Sequence, residues 1–174
     1  DLAARDPHGF KPLCIGKLNN SYIVASETCA LDIIKAEYVR DVEPGEIVVI
    51  DDEVLKTGNI KSFRLTEKPE NHSKCIFEYI YFSRPDSKIF GHNVDKVRRK
   101  LGKILAEKHP VRDKDGEKVI VISVPDSSNT CAIGYQNFLE KIGIPSKLEI
   151  GLIRSHYIGR TFIQPSQLIR DFKV

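Results

Sequence analysis

Val119-Ile-Val-Ile-Ser-Val-Pro-Asp-Ser-Ser128 is the stretch whose reading decides the fold. A β-branched apolar run ends abruptly in a proline, a carboxylate and two hydroxyls. A helical pattern follows at once, with Cys131, Tyr135, Phe138 and Ile142 on one face and Gly143 placed to end it. Leu148-Glu-Ile-Gly-Leu-Ile153 then reads as another strand. Strand, helix, strand over residues 119–153 predicts a βαβ unit, a parallel sheet and a buried first strand. Ligands of open α/β sheets bind outside the carboxyl ends of the strands. Asp126, Ser127 and Ser128, ahead of a helix N-terminus, therefore suit a phosphate or a hydrated magnesium ion. The plain alternative is an ordinary N-cap loop, since Ser and Asp are the commonest caps.

The segment after the second strand leaves from the same end of the sheet. It carries Arg154, Arg160 and Arg170 against the single acid Asp171, with Tyr157, Thr161, Gln164 and Ser166 as neutral hydrogen-bonding groups. The guanidinium fork binds two phosphate oxygens at once. A long polar segment with Gly159 as a hinge has the make-up of a closing lid. The plain alternative is a basic surface loop.

Working outward, Asn93 to Lys108 predicts a helix capped by Asn93, with Val94, Val97, Leu101, Ile104 and Leu105 as its apolar stripe and Lys96, Arg98, Arg99, Lys100 and Lys103 on the solvated side. Ile76–Phe82 predicts a largely buried apolar segment or strand. Residues 66–74 are polar, carry a proline and predict a linker. Before it, strands are predicted at 12–16, 21–26 and 46–51. A short helix is predicted within 28–36, and turns at Pro44-Gly45 and Asp51–Glu53. The chain thus changes near residue 70 from antiparallel to parallel patterning, giving two domains, 1–70 and 71–174.

The bulk properties exclude several classes. The 174 residues hold 41% hydrophobic and 29% charged residues, ordinary for a globular protein. A net charge of +3 is too small to indicate nucleic acid. No stretch approaches the ~20 apolar residues of a membrane span. Cys14, Cys29, Cys75 and Cys131 are scattered, which favours reduced thiols in the cytoplasm. The absence of Met, and ends that read as interrupted structure, suggest a fragment.

Six segments fall in one order: Ala4-Arg-Asp-Pro-His-Gly-Phe-Lys-Pro-Leu13, Val24-Ala-Ser-Glu-Thr-Cys-Ala-Leu-Asp32, Val42-Glu-Pro-Gly-Glu46, Cys75-Ile-Phe-Glu-Tyr-Ile-Tyr-Phe-Ser-Arg-Pro-Asp-Ser87, Val124-Pro-Asp-Ser-Ser128 and Tyr157-Ile-Gly-Arg-Thr-Phe-Ile-Gln-Pro-Ser-Gln167. In content, order and spacing the chain resembles the glutamine phosphoribosylpyrophosphate amidotransferases (amidophosphoribosyltransferases). The resemblance implies an α+β part, the second half of an N-terminal-nucleophile glutaminase. An α/β part follows, the beginning of a type I phosphoribosyltransferase with a parallel sheet.

The implied reaction is the first of de novo purine synthesis, in which glutamine-derived ammonia and phosphoribosyl pyrophosphate give 5-phosphoribosylamine. The resemblance makes Asp126–Ser128 the pyrophosphate loop, with Ser127 at the magnesium-associated position. It makes Arg154 to Gln167 the lid, in which Tyr157, Arg160 and Ile163 match motif positions. Cys75 falls where some members have a ligand of a [4Fe–4S] cluster and others a plain thiol; both readings stand. A homo-oligomer is implied for the full-length protein.

The lid opens Arg154-Ser-His-Tyr157 where the family usually has Lys-Asn-Arg-Tyr, so His156 makes one lid charge pH-dependent. The amino-terminal cysteine nucleophile, its oxyanion hole and the acidic ribose-binding motif are expected outside these residues, and this stretch alone is expected to be inactive. Asp51-Asp52 is not that motif, because no Ser/Thr-rich loop follows it. The competing reading is a non-catalytic phosphoribosyl-pyrophosphate-binding or regulatory module.

Overall fold

The computed structural model describes residues 1–65, 72–111, 116–157, 159 and 165–172. The first part holds two three-stranded antiparallel sheets. One runs in the order β1 (Leu2–Ala4), β5 (Glu46–Val49), β6 (Lys61–Arg64). The other runs β3 (Ser21–Ala25), β2 (Cys14–Leu18), β4 (Glu37–Asp41). Ile15, Val42, Val48, Ile50 and Val54 form one buried cluster joining the two. α1 (Thr28–Ile33) lays Leu31 over β2, where Gly16 makes room: a Cβ there would stand 2.5 Å from Leu31 Cδ2.

β4 and β6 were not predicted. Both are short edge strands of low apolar content, with Tyr38, Val39 and Phe63 exposed. The predicted turn at Asp51–Glu53 is instead the start of α2 (Asp52–Thr57). The Asp51 carboxylate caps it, accepting from the N–H groups of Glu53 (3.1 Å) and Val54 (3.0 Å).

Ile76–Phe82 is not a buried strand. Residues Glu78–Phe82 form a single π-helical turn that buries Glu78 and Tyr79 and leaves Ile76, Phe77, Ile80, Tyr81 and Phe82 exposed. A coiled turn satisfies the Glu78 carboxylate, which a strand in an apolar layer would strand without partners. The two-residue strands β7 (Lys88–Ile89) and β8 (His92–Asn93) follow and pack Ile89 and Phe90 against Tyr79 and Val94.

Residues 73–93 sit on the first part of the chain. Ser73 N–H donates to His8 O (2.8 Å) and Cys75 N–H to Phe10 O (3.1 Å). The Glu27 carboxylate accepts from Arg84 N–H (2.8 Å) and Ser87 Oγ (2.7 Å).

α3 (Val94–Lys108) is capped by Asn93, whose side chain accepts from Lys96 N–H at 3.0 Å. Its buried residues are Val94, Arg98, Gly102 and Ala106, whereas Leu101 and Leu105 of the predicted stripe are exposed. Arg98, placed by the sequence on the solvated side, is buried: its guanidinium donates to the carbonyls of Tyr79 and Ser83. The stripe shifts because α4 (Asn129–Lys141) approaches through glycine. A Cβ on Gly102 would lie 1.9 Å from Cys131 O, and one on Gly134 2.1 Å from Arg99 O.

β9 (Val119–Ile122) pairs in parallel with β10 (Ser146–Glu149), with Val119 opposite Ser146 and Ile122 opposite Glu149. This is the parallel βαβ unit that the periodicity predicted, although β10 starts and ends earlier than the apolar run 148–153 suggests. Nor is β9 buried on both sides. Val119 and Val121 are half-buried, while Ile120 is 65% and Ile122 48% exposed. Among the described residues only β10 lies beside β9. α5 (Gln167–Phe172) is the last described element.

Candidate functional site

The carboxyl end of β9 delivers the chain directly into the Pro125–Ser128 turn. Three local bonds define this turn. Ser128 Oγ donates to Val124 O (2.5 Å), Ser123 Oγ donates to Asn129 Oδ1 (2.7 Å), and Asn129 N–H donates to Asp126 O (3.3 Å). Ser128 stands at the N-cap of α4 yet makes no side-chain cap bond, because its hydroxyl is turned back to Val124. The plain N-cap reading of this loop is therefore not what the geometry shows. The first turn of α4 keeps backbone donors that no side chain satisfies, and these carry the positive end of the helix dipole. Ser127, half-buried, makes no hydrogen bond to any described residue.

The segment leaving β10 comes back over this turn. Arg154 Nε approaches Asp126 Oδ2 at 3.4 Å, with both side chains about 60% exposed. An ion pair this open is worth little and is easily exchanged for another anion. The structure thus brings Asp126, Ser127, Ser128 and Arg154 to one end of the parallel pair. Tyr157 is fully exposed and touches none of them. Arg160 and Ile163 lie outside the described residues.

This cluster can hold an anion between backbone N–H groups, the Ser127 hydroxyl and a guanidinium. As a magnesium site it offers one carboxylate and the free Ser127 hydroxyl. That suits a cation which keeps its waters and leans on a ligand's phosphates rather than on a protein cage. No group of three or more His, Cys, Asp or Glu able to hold a metal is found among the described residues.

Cys75 does not fit a cluster by itself. It is a half-buried free thiol, and one thiolate cannot hold a [4Fe–4S] centre. Cys14 and Cys29 are buried in the first part of the chain, and burial pushes the Cys14 thiol up to about 11. Asp51, set aside as a ribose-binding motif, caps α2 and pairs with Lys61 at 2.8 Å.

The sequence reading missed the interplay at residues 123–129. The signal was present, since Ser123 and Asn129 flank the loop, but two short hydrogen-bonding side chains do not announce that they choose each other over the helix end. Among the described residues no helix is long and apolar enough to cross a membrane.

No family model matches the chain. Individual proteins do. It is 49% identical over 170 residues to the amidophosphoribosyltransferase of Bacillus subtilis, covering 98% of this chain and 32% of that protein. It is 51% identical over 174 residues to the chloroplastic amidophosphoribosyltransferase of Glycine max (99% and 28%). It is 45% identical over 173 residues to the Archaeoglobus fulgidus amidophosphoribosyltransferase (99% and 34%).

A solved structure described as the allosteric regulatory enzyme of purine biosynthesis superposes with a TM-score of 0.77 at 49% identity, over 99% of this chain and 34% of that one. The Bacillus subtilis glutamine phosphoribosylpyrophosphate amidotransferase complexed with ADP and GMP gives 0.74 at 48%, with the same coverage. The resemblance seen in six motifs extends along nearly the whole chain. The chain spans about a third of the length of the relatives it matches.

Proposed function

We propose that this chain is part of an amidophosphoribosyltransferase and supplies the pyrophosphate-binding loop of its phosphoribosyltransferase site. In this reading residues 1–70 belong to the N-terminal-nucleophile glutaminase and residues 71–174 begin the type I phosphoribosyltransferase. The parent reaction joins glutamine-derived ammonia to phosphoribosyl pyrophosphate and releases pyrophosphate. The observation that carries it is the turn Pro125–Ser128. It is a hydroxyl-lined loop between a parallel strand and a helix N-terminus left uncapped, with Arg154 poised above it. Near-50% identity to proteins of that name supports the rest.

The roles follow from chemistry. The Ser127 hydroxyl and the first N–H groups of α4, exposed because the Ser128 hydroxyl is turned to Val124, bind the pyrophosphate oxygens. Arg154 exchanges Asp126 for phosphate and stabilises the charge that develops on the leaving group. Asp126 and Ser127 are the oxygens available to a magnesium ion carried by the substrate, whose contribution when bound is to neutralise pyrophosphate charge. Tyr157, Arg160 and Ile163 act from the segment beyond, closing on the substrate and excluding water. Four free thiols suit a reducing compartment such as the cytoplasm; the Glycine max relative is called chloroplastic.

The test is steady-state kinetics of Ser127→Ala in the intact protein. Loss of one hydrogen bond to a charged ligand should weaken phosphoribosyl pyrophosphate binding by about 1–2 kcal/mol, with glutamine hydrolysis chemistry preserved. Unchanged phosphoribosyl pyrophosphate kinetics would show that the loop does not line the site.

A further inference from the structure

Glu27 stands at the N-terminus of α1 and does not cap it. Its carboxylate crosses instead to the second part of the chain. There one oxygen accepts from both Arg84 N–H (2.8 Å) and Ser87 Oγ (2.7 Å). Its neighbour reaches the same way: Thr28 Oγ1 accepts from Lys88 N–H at 2.8 Å. Ser87 is fully buried, so its hydroxyl has no water to fall back on if this acceptor is lost.

α3 grips the Arg84–Ser87 turn from the other side. Val94 N–H donates to Ser87 O and Asp95 N–H to Pro85 O, each at 3.0 Å. One turn on, the buried Arg98 guanidinium donates to Ser83 O at 2.8 Å and to Tyr79 O. Burial lowers the Arg98 pKa, and the charges of Glu27 and Asp95 oppose that shift. α3 then meets α4 at Gly102 and Gly134, where only glycine leaves room for the opposite backbone. Interiors packed this closely transmit displacement. α4 starts directly after the pyrophosphate loop. Hydrogen bonds and close packing thus run without a gap from α1 through Glu27, the turn, α3 and α4 to that loop, the kind of contiguous network that carries coupling between sites.

We propose that Glu27 is a positioning residue for the phosphoribosyltransferase site. It holds the Arg84–Ser87 turn, and through it α3, α4 and the loop, in register with the first part of the chain, where the ammonia is released. The inference rests on the function proposed above and adds a residue that touches neither substrate. Reach and an acceptor oxygen are what the position requires. Gln supplies both; Asp is one carbon–carbon bond, about 1.5 Å, too short.

The experiment compares phosphoribosylamine synthesis from glutamine and from ammonium by the intact protein and its variants. Ammonium bypasses the first site and needs no register between the two. Glu27→Ala and Glu27→Asp should lower kcat/KM with glutamine about tenfold and leave the ammonium-dependent value in place. Glu27→Gln should restore most of the glutamine-dependent rate. If Glu27→Ala does not fold, Thr28→Val, which removes only the bond to Lys88, should shift the two rates in the same sense. Equal falls with both nitrogen sources would reduce Glu27 to a structural contact, and no change with either would remove its role; both results overturn the proposal. A parent protein that makes no phosphoribosylamine even from ammonium would instead sink the function proposed above, and this inference with it.

Discussion

Glu78 and Lys11, 67 positions apart in sequence, meet at 2.7 Å, and the meeting is lopsided: the carboxylate side chain is 8% exposed and the lysine 59%. Ser83 Oγ donates to the second carboxylate oxygen at 2.7 Å, and the Lys11 ammonium also sits 4.3 Å over the Phe82 ring. Cutting a pair of this kind hurts most when the buried charge is the one left behind. Lys11→Met should therefore lower Tm more than Glu78→Gln does, although Lys11 is the more exposed partner. Thermal melts of the two variants check the order, and the reverse order would mean that the carboxylate is solvated after all.

The helix crossing predicts a steep cost for adding a single carbon. Gly102→Ala or Gly134→Ala would place a Cβ within about 2 Å of backbone on the opposite helix, where no side-chain rotation relieves it. Overpacking of this kind costs about 1–3 kcal/mol or more. Gly143→Ala meets no neighbouring atom, so only its φ of +84° is strained. Urea unfolding should rank Gly102 and Gly134 well above Gly143.

Glu46 sets an acid limit. Burial alone would raise its pKa. Hydrogen bonds from Arg40, Ser62 and the Glu43 N–H outweigh that and bring the carboxyl down to about 2. A carboxylate with a depressed folded-state pKa contributes stability above its unfolded value, near 4.5, and loses it as pH falls toward 2. The contribution is on the order of 3 kcal/mol. Glu46→Gln should be less stable than the parent at pH 7 and should show a flatter stability profile between pH 4.5 and 2. Parallel profiles would remove the Arg40–Glu46 pair from the account.

Thiol accessibility separates the four cysteines. Cys14 and Cys29 are buried, and burial holds the Cys14 thiol up at about 11. Cys75 is half-buried at the seam between residues 8–10 and 73–82. In native protein a thiol reagent should modify Cys75 ahead of Cys14, with Cys14 reacting only on unfolding. Mass mapping of a time course checks the order.

In the intact protein, Arg160→Ala should lower kcat more than it raises KM for phosphoribosyl pyrophosphate. The proposed contacts of Arg160 form on closure and so favour the transition state over the ground state. A rise in KM with kcat intact would make Arg160 a ground-state contact instead.

Local pattern alone determined a good deal of this protein. The period-2 and period-3.6 signals around Val119–Gly143 announced a parallel βαβ unit, and Asn93 announced the start of α3, because the hydrogen bonds that make these elements are local and their apolar faces repeat. Six short segments in order pointed to a family whose members match along nearly the whole chain. What tertiary structure decided was every question of partner. The carboxylate of Glu78 turned a segment read as a strand into a π-helical turn because Lys11 and Ser83 were there to receive it. The glycines of α3 and α4 moved the buried face from Leu101 and Leu105 to Arg98, Gly102 and Ala106, because backbone can approach backbone where no Cβ intervenes. Ser128 abandoned the helix end for Val124, leaving the first backbone donors of α4 without a side-chain partner. Such choices are made between groups far apart in sequence, or between rival acceptors of nearly equal energy. Periodicity and propensity describe each residue's own preferences and carry no record of which competitor stands within 3 Å once the chain has closed.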